Sequence, residues 1–250
     1  MMNGTETRKS SSKKRLPLNG MSATQAKAPK KWTAPEISKG LLEKRVHVIQ
    51  HPVFSHKIGI LRNKNTSSFD FRKVFEELST MLAYEATRDL ELKSEWIETP
   101  LERAQVERIA EEIVVACILR AGEGMLHGFL EALPFARIGH IGIYRDKNLH
   151  NTIEYYFKMP KDVRGKRVLL LDPLLATGDT ALAAIERLKQ YEVGSIRLIT
   201  LLSARVGLSK VLAEHPDVEI YTLSIERELD ENGYLRPGVG DAGDRLFRTT

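Results

Sequence analysis

The 250-residue chain has a single cysteine, Cys117, and only 7% aromatic residues. One thiol excludes an intrachain disulfide and any multi-cysteine metal ligation. Its place inside the apolar run 113–119 predicts a buried, inert side chain rather than a nucleophile. No stretch approaches the roughly 20 apolar residues of a membrane span, and no apolar core of a signal peptide follows the basic cluster near the start. The sequence therefore predicts a cytoplasmic protein without a membrane partner. The seven histidines show no metal spacing such as His-Glu-x-x-His, so none is assigned to chemistry. A Gly-rich run ending in Gly-Lys-Ser or Gly-Lys-Thr is also absent, which excludes a Walker-type phosphate loop. No internal repeat is visible.

Positive charge is present, but unevenly. Residues 1–40 hold nine Lys or Arg against Glu6 and Glu36, a surplus of +7 that leaves −2 for residues 41–250 of a chain whose total is +5. The body is not basic, so an extensive nucleic-acid face is not expected. Rich in Ser, Lys, Ala and Pro, residues 1–40 cannot bury enough apolar surface to offset the entropy of ordering, which predicts a disordered basic extension. Such an arm either holds RNA or an anionic surface electrostatically or is simply a solvated extension. Residues 41–250 are long enough for one substantial core and are read as a single α/β domain.

The most informative segment is RVLLLDPLLATGDTALAAIERL, residues 167–188. Its apolar run 168–171 is that of a parallel strand covered on both faces, and Asp172 stands where the strand ends. The small residues Ala176, Thr177, Gly178 and Thr180 let backbone N–H groups converge on an anion. A helix with Ala181, Ala184, Ile185 and Leu188 on one face aims its positive end at the same point. Taken alone, the segment is either a phosphate cradle or a small-residue turn joining strand to helix.

Around it the patterning alternates strands with helices, as βαβ units of a parallel sheet do. A weak strand is predicted at 45–50, ended by His51-Pro52, then a long surface helix from Ser68 to about Leu90 with Ser67 or Ser68 as cap. A buried strand at 113–119 precedes Arg120 and a helix ending near Leu133-Pro134. Strands at 137–144 and 152–158 form a hairpin suited to a contact arm, followed by a helix at 179–191, a strand at 195–202, a helix at 205–215 and a strand at 218–224. Ligands on such sheets bind beyond the carboxyl ends of strands, and Arg120, Tyr144-Arg145, Asp172 and Ser203-Ala204 are all expected just past strand ends.

Arg120 and Arg145 are each explained by a surface ion pair. Together with the cradle, two guanidinium forks suit a pyrophosphate. Near the C-terminus, Gly233, Gly238, Gly240 and Gly243 fall within eleven residues. That density suits a loop whose backbone approaches a flat base, because main-chain groups complement the carbonyl and N–H groups of a pyrimidine dione.

The segments VIQHPVFSHKIGILRN, LAYEATRDL, ILRAGEGM, IGIYRDK, LLLDPLLATGDT, AEHPDVEIYT and GYLRPGVGDAGDRLF, spanning about 46–247, resemble the uracil phosphoribosyltransferases, a branch of the type I phosphoribosyltransferases. The resemblance implies an α/β fold with a parallel sheet, a β-hairpin arm and a C-terminal base-binding hood. It also implies transfer of the phosphoribosyl group of phosphoribosyl pyrophosphate (PRPP) to N1 of uracil, giving uridine monophosphate and pyrophosphate. Mg²⁺ would be held mainly by PRPP, and the chain would form a homo-oligomer, dimer or tetramer. Carried over by position, Arg120, Arg145, Asp172, Pro173, Leu174, Leu175, Ala176, Thr177, Gly178, Asp179, Thr180 and Asp241 would bind PRPP. Leu235, Gly240, Asp241 and Ala242 would bind uracil, and Asp241, Arg120 and Asp172 would be catalytic.

Some positions depart from the pattern. Asp179 stands where the family usually has Gly, and its carboxylate beside a phosphate is unfavourable unless it points away from the cradle. Residues 204–207 lack the usual Pro-Glu of that loop, Glu226 and Asp230 replace Asp and Asn, and Arg248 replaces Gly. Two readings compete with the enzyme: a pyrimidine-responsive RNA regulator on the same fold, and a catalytically degenerate PRPP-binding subunit.

Overall fold

In the computed structural model, residues 32–145 and 152–249 are described, apart from the side chain of Arg145. Helix α1 (Lys39–Arg45) is capped by Ser38, whose hydroxyl accepts the Leu41 N–H, and leads into β1 (Val46–Val48). The Trp32 indole N–H donates to the Asp230 carbonyl at 2.7 Å. The packed body therefore takes in residues before the expected boundary at 41, while residues 1–31 of the basic extension lie outside the described residues. The dipeptide His51-Pro52 does more than end a strand. His51 Nδ1 accepts the Val53 N–H at 3.1 Å and Pro52 occupies the first turn, so the pair starts α2 (Pro52–Arg62), an element the sequence patterning did not predict. Helix α3 (Ser68–Ala86) starts at the Ser67 cap and buries Phe71, Phe75, Leu78 and Leu82.

Next come β2 (Leu92–Glu98) and β3 (Arg103–Ile109), an antiparallel ribbon paired over its full length and largely exposed, with Trp96 60% accessible. This ribbon is a second unpredicted feature, and it is the hairpin that stands apart from the main sheet. Beyond it follow β4 (Ile113–Leu119), α4 (Glu123–Ala132), β5 (Arg137–Arg145), β6 (Thr152–Lys158), β7 (Arg167–Leu171), β8 (Leu174–Leu175) and α5 (Asp179–Lys189). The chain continues through β9 (Ser195–Ile199), β10 (Leu202–Ala204), α6 (Arg205–Glu214), β11 (Glu219–Thr222), β12 (Ser224–Glu226), β13 (Glu228–Leu229), β14 (Leu235–Arg236) and α7 (Ala242–Phe247).

The main sheet runs β1-β11-β9-β7-β4-β5-β6, parallel throughout except for β6 at the edge. Strands β5 and β6, which carry the hairpin at about 144–158 expected as a contact arm, belong to that sheet, and the turn at 146–151 lies outside the described residues. A smaller parallel sheet orders β12-β10-β8, and β13 pairs with β14.

Strand alternation separates two cores. Ile113, Val115, Cys117, Leu169 and Leu171 pack with α2, α3 and α4, whereas Val114, Ala116, Ile118, Val168 and Leu170 pack with α5 and α6. Burial pushes the Cys117 thiol up to about 12, consistent with the inert role expected of it. The expected strands at 195–202 and 218–224 each divide between the two sheets. At the first break, the Leu201 and Leu202 N–H groups both donate to the Pro173 carbonyl, at 2.9 and 3.1 Å. That turn brings the chain leaving β9 against the chain leaving β7.

Candidate active site

Arg120 and Asp172 each follow the last residue of a central strand, β4 and β7, which are adjacent and in register. They face a cavity of about 240 Å³ lined by residues 118–121, Ile143, Asp172 and residues 174–181. The expected placement just past strand ends holds for Arg120 and Asp172, and the other expected positions need correction. Tyr144 and Arg145 remain inside β5, where Arg145 pairs with Thr152, and Ser203-Ala204 lie inside β10 rather than beyond a strand. The Arg145 side chain is outside the described part of the structure. A roomier groove of about 430 Å³ runs over α2, α3 and α4, but its Lys57 and Glu77 pair with each other and no strand end reaches it.

The cradle has a simple local cause. Gly178 caps α5 in the left-handed region (φ +85), and no side chain satisfies the helix start. Thr180 and Ala181, whose N–H groups have no carbonyl partner within an α-helix, line the cavity. The positive end of an eleven-residue helix coincides with them. A Cβ at Gly178 would approach the Gly207 carbonyl oxygen to 3.1 Å and its Cα to 3.2 Å, so glycine is needed for both conformation and space. Pro173, Leu174, Leu175 and Ala176 form the connecting turn, with Leu175 buried beneath it.

Asp172 is only partly exposed. Burial pushes its carboxyl up to about 7, against the lowering effect of the Leu174 N–H. Asp179 does not point away from the cradle, the orientation that would have spared a phosphate its charge. It lines the same cavity, its Oδ2 accepting the Thr177 hydroxyl at 2.9 Å and its Oδ1 the Lys210 ammonium.

The C-terminal block flanks this cavity. Gly233, Gly238 and Gly240 all have positive φ, Leu235 and Ala242 are buried, and Gly240 and Asp241 are exposed. Asp241 caps α7, its Oδ1 accepting the Asp244 N–H at 3.0 Å. Arg120 joins the two halves: its guanidinium donates to Asp244 Oδ1 and to Thr249 Oγ1, each at 3.3 Å, and lies 6.0 Å from the Phe247 ring centre. On the other flank, a Cβ at Gly233 would fall 3.5 Å from Thr177 Cγ2. The positions expected for phosphate and for base thus border one another, although Leu235, Gly240, Asp241 and Ala242 are not part of the cavity wall.

Sequence patterning missed the residues that hold this block. Arg62, from the end of α2, pairs with buried Glu226 at 2.6 and 2.7 Å and donates to the Gly238 carbonyl at 3.0 Å, while the Gly238 N–H donates to Glu226 at 2.7 Å. Burial alone would raise the Glu226 carboxyl. The Arg62 fork, the Gly238 N–H and the Ser224 hydroxyl together hold it below the ordinary glutamate value. Arg245 donates to the carbonyls of Leu61, Val239 and Asn63 and stacks 4.1 Å from the Phe71 ring centre. These partners are far apart in sequence, so no local motif signals them. Only the Asp241 cap, three residues before Asp244, has a legible signature.

Among the described residues no three His, Cys, Asp or Glu gather as a metal centre, and no helix is long and apolar enough to cross a membrane. Residues 48–249 match the family model described as uracil phosphoribosyltransferase. Over 205 residues, 82% of this chain and 98% of theirs, the chain is 48% identical to proteins named uracil phosphoribosyltransferase from Polaromonas naphthalenivorans and from Agrobacterium fabrum. Among solved structures it resembles the AQ2163 protein from Aquifex aeolicus with a TM-score of 0.79 and 33% identity, covering 82% of this chain and 99% of that one.

Proposed function

This chain belongs to the uracil phosphoribosyltransferase family, and from that membership we propose that it transfers the phosphoribosyl group of PRPP to N1 of uracil, releasing uridine monophosphate and pyrophosphate. One observation carries the assignment of the site: Arg120 closes the phosphate-cradle cavity on one side and bonds to the glycine-rich C-terminal block on the other. In this reading donor and base occupy adjoining sites near the strand ends.

In this reading Thr177, Gly178 and Thr180 bind the 5′-phosphate through the start of α5, with residues 174–176 and Asp179 completing the wall and Pro173 joining it to β7. Asp172, as a carboxylate, accepts from the ribose hydroxyls. Arg120 and Arg145 would bind the pyrophosphate. Leu235 and the Gly240-Asp241-Ala242 turn recognise uracil largely through the main chain, with Asp241 also reaching the donor. The bond from the anomeric carbon to pyrophosphate oxygen breaks ahead of full bonding to uracil N1, which attacks from the opposite face and releases its proton to solvent. The developing oxocarbenium character calls for positioning and electrostatics rather than a covalent nucleophile. Arg120 stabilises the departing charge, and the cradle holds the ribose still.

The cavity wall carries carboxylate and hydroxyl oxygens and no thiol or imidazole, a donor set suited to Mg²⁺. When bound, chiefly through the donor's own oxygens and with Asp172 at hand, that ion would neutralise charge on the leaving pyrophosphate. For assembly, a homodimer or tetramer is our proposal, with the exposed β2-β3 ribbon as its contact arm. The likeness gives no support to an RNA-binding regulator. The test is direct: purified protein, PRPP, Mg²⁺ and each nucleobase in turn, with products identified by mass. Uridine monophosphate from uracil alone is the expected result, and no product, or product from a purine instead, would refute the proposal.

A further inference from the structure

The cradle carries a carboxylate at its rim, and a lysine from a different helix is bonded to it. Asp179 opens α5 and lines the cavity with Thr177 and Thr180; its two oxygens take the Thr177 hydroxyl at 2.9 Å and the Lys210 ammonium. Lys210 reaches it because of how α6 is seated. A Cβ on Gly207 would stand 2.6 Å from the Ala176 carbonyl oxygen, so the first turn of α6 rests directly on the cradle backbone. Residues three apart share a helix face, which puts Lys210 on the same side as Gly207, one turn further along and beside Asp179.

Two effects of Asp179 oppose an anionic ligand. Its negative charge repels a phosphate, and it engages the only hydrogen of the Thr177 hydroxyl, which a phosphate oxygen would otherwise accept. A lysine on Asp179 counters the first of these by offsetting the charge, while the Thr177 hydroxyl stays bonded to the other carboxylate oxygen. We infer that Lys210 is a positioning residue for the phosphate-bearing substrate: it neutralises Asp179 from outside the cavity and so sets how strongly the cradle binds the donor. This builds on the assignment of the cradle to the donor phosphate. Lys210 itself touches no substrate in this scheme, since it is not part of the cavity wall.

The experiment compares the full-length protein with Lys210→Met, Lys210→Arg, Asp179→Asn and the Asp179→Asn/Lys210→Met double variant. Turnover is measured with PRPP and uracil, and ribose 5-phosphate binding is measured by calorimetry. Removing the cation should raise the KM for PRPP about tenfold, the scale of taking away one positive charge a few ångströms from an anion in a partly solvated site. The uracil KM and kcat should stay within about twofold, since donor affinity rather than transition-state stabilisation is lost. Raising salt from about 50 to about 500 mM should shrink the defect, because through-space repulsion is screened; a packing defect would not respond in this way. Lys210→Arg should keep the wild-type KM, and the double variant should bind ribose 5-phosphate at least about fivefold more tightly than Lys210→Met, as expected of coupled neighbours. An unchanged donor KM in Lys210→Met, or a double variant as weak as the single one, overturns the inference. Wild-type protein that binds ribose 5-phosphate but makes no product would refute the enzyme assignment while leaving the role of Lys210 to be decided by the calorimetric series. Wild-type protein that does not bind it at all removes both.

Discussion

Arg62 and Glu226 meet as a two-point ion pair across 164 residues of sequence, Nη1 to Oε2 at 2.7 Å and Nη2 to Oε1 at 2.6 Å. Both hold Gly238, one through its carbonyl and the other through its N–H. The Glu226 side chain is 1% exposed, so the pair fixes the glycine-rich hood from below rather than decorating the surface.

Removing one member of a buried pair leaves the other charge uncompensated. Glu226→Ala is therefore expected to lower the unfolding free energy by about 3 kcal/mol or more, measured by urea denaturation. Because the stranded groups lie under the proposed uracil loop, its uracil KM should rise more than its PRPP KM. The sign of the pH effect follows from the lowered carboxyl. Its contribution to stability is full above the ordinary glutamate range and is lost as pH falls through the depressed native value. Glu226→Gln should be less sensitive to acid than the wild type over that interval; an equal loss would show that the pair does not govern acid stability.

Asp172 shifts in the opposite direction. Burial raises its carboxyl to about 7, so the unliganded site is a mixture of acid and carboxylate at neutral pH. Only the carboxylate can accept from both ribose hydroxyls, and donor binding should strengthen from pH 6 to pH 8, on the scale set by that titration. The expected observation is a carboxyl-carbon NMR resonance titrating near 7 in the free protein and missing from Asp172→Asn. A midpoint near the usual aspartate value would show that water reaches this carboxylate and that it does not gate binding.

What the sequence could reveal about this site was what lies close together along the chain. The strand at 168–171, Asp172, the Thr-Gly turn and the start of α5 occupy one continuous stretch, and their order alone narrows the segment to a cradle or a small-residue turn. The glycines of the C-terminal block were equally visible, because positive φ values at Gly233, Gly238 and Gly240 depend on local backbone chemistry. The clamps formed by Arg62, Glu226 and Arg245 exist only once the chain has folded, and no spacing encodes them. Two misses had other causes. Helix α2 carries a legible start in His51-Pro52 and apolar positions at Phe54, Ile58 and Leu61, but the same proline also ends the preceding strand, and that signal masks the helix start. The β2-β3 ribbon leaves most of its residues accessible on both faces, so the two-residue period that marks a half-buried strand is weak.

Arg120 and Asp241 allow charge to be separated from structure. Arg120 is more than half exposed and its two partners lie at 3.3 Å, so Arg120→Ala should barely alter stability. Asp241 caps α7, and Asn caps a helix as well as Asp does, so Asp241→Asn should preserve that fold while removing the negative charge. Each is expected to lower uridine monophosphate formation by about 100-fold, the scale of one preorganised charged contact. Unaltered melting curves alongside the lost rate would place the effect in catalysis, and near wild-type rates in both would remove these residues from the proposed site.

Gly178 gives the most local test of the cradle. At φ +85 a side chain is strained, and a Cβ there would also press on the Gly207 backbone at 3.1 and 3.2 Å, closer than most such contacts lie. Relief requires α5 and α6 to separate by a few tenths of an ångström or the turn to open, and either motion moves Thr180 and Ala181, which line the cavity. Gly178→Ala should cost about 1 to 3 kcal/mol in unfolding free energy and raise the PRPP KM at least tenfold, with little change in the uracil KM. A spacious, unstrained turn would instead be stabilised by the same substitution, because alanine restricts the unfolded chain. The sign of the stability change, read from a single denaturation curve, thus decides whether the start of α5 is held in the conformation that anion binding requires.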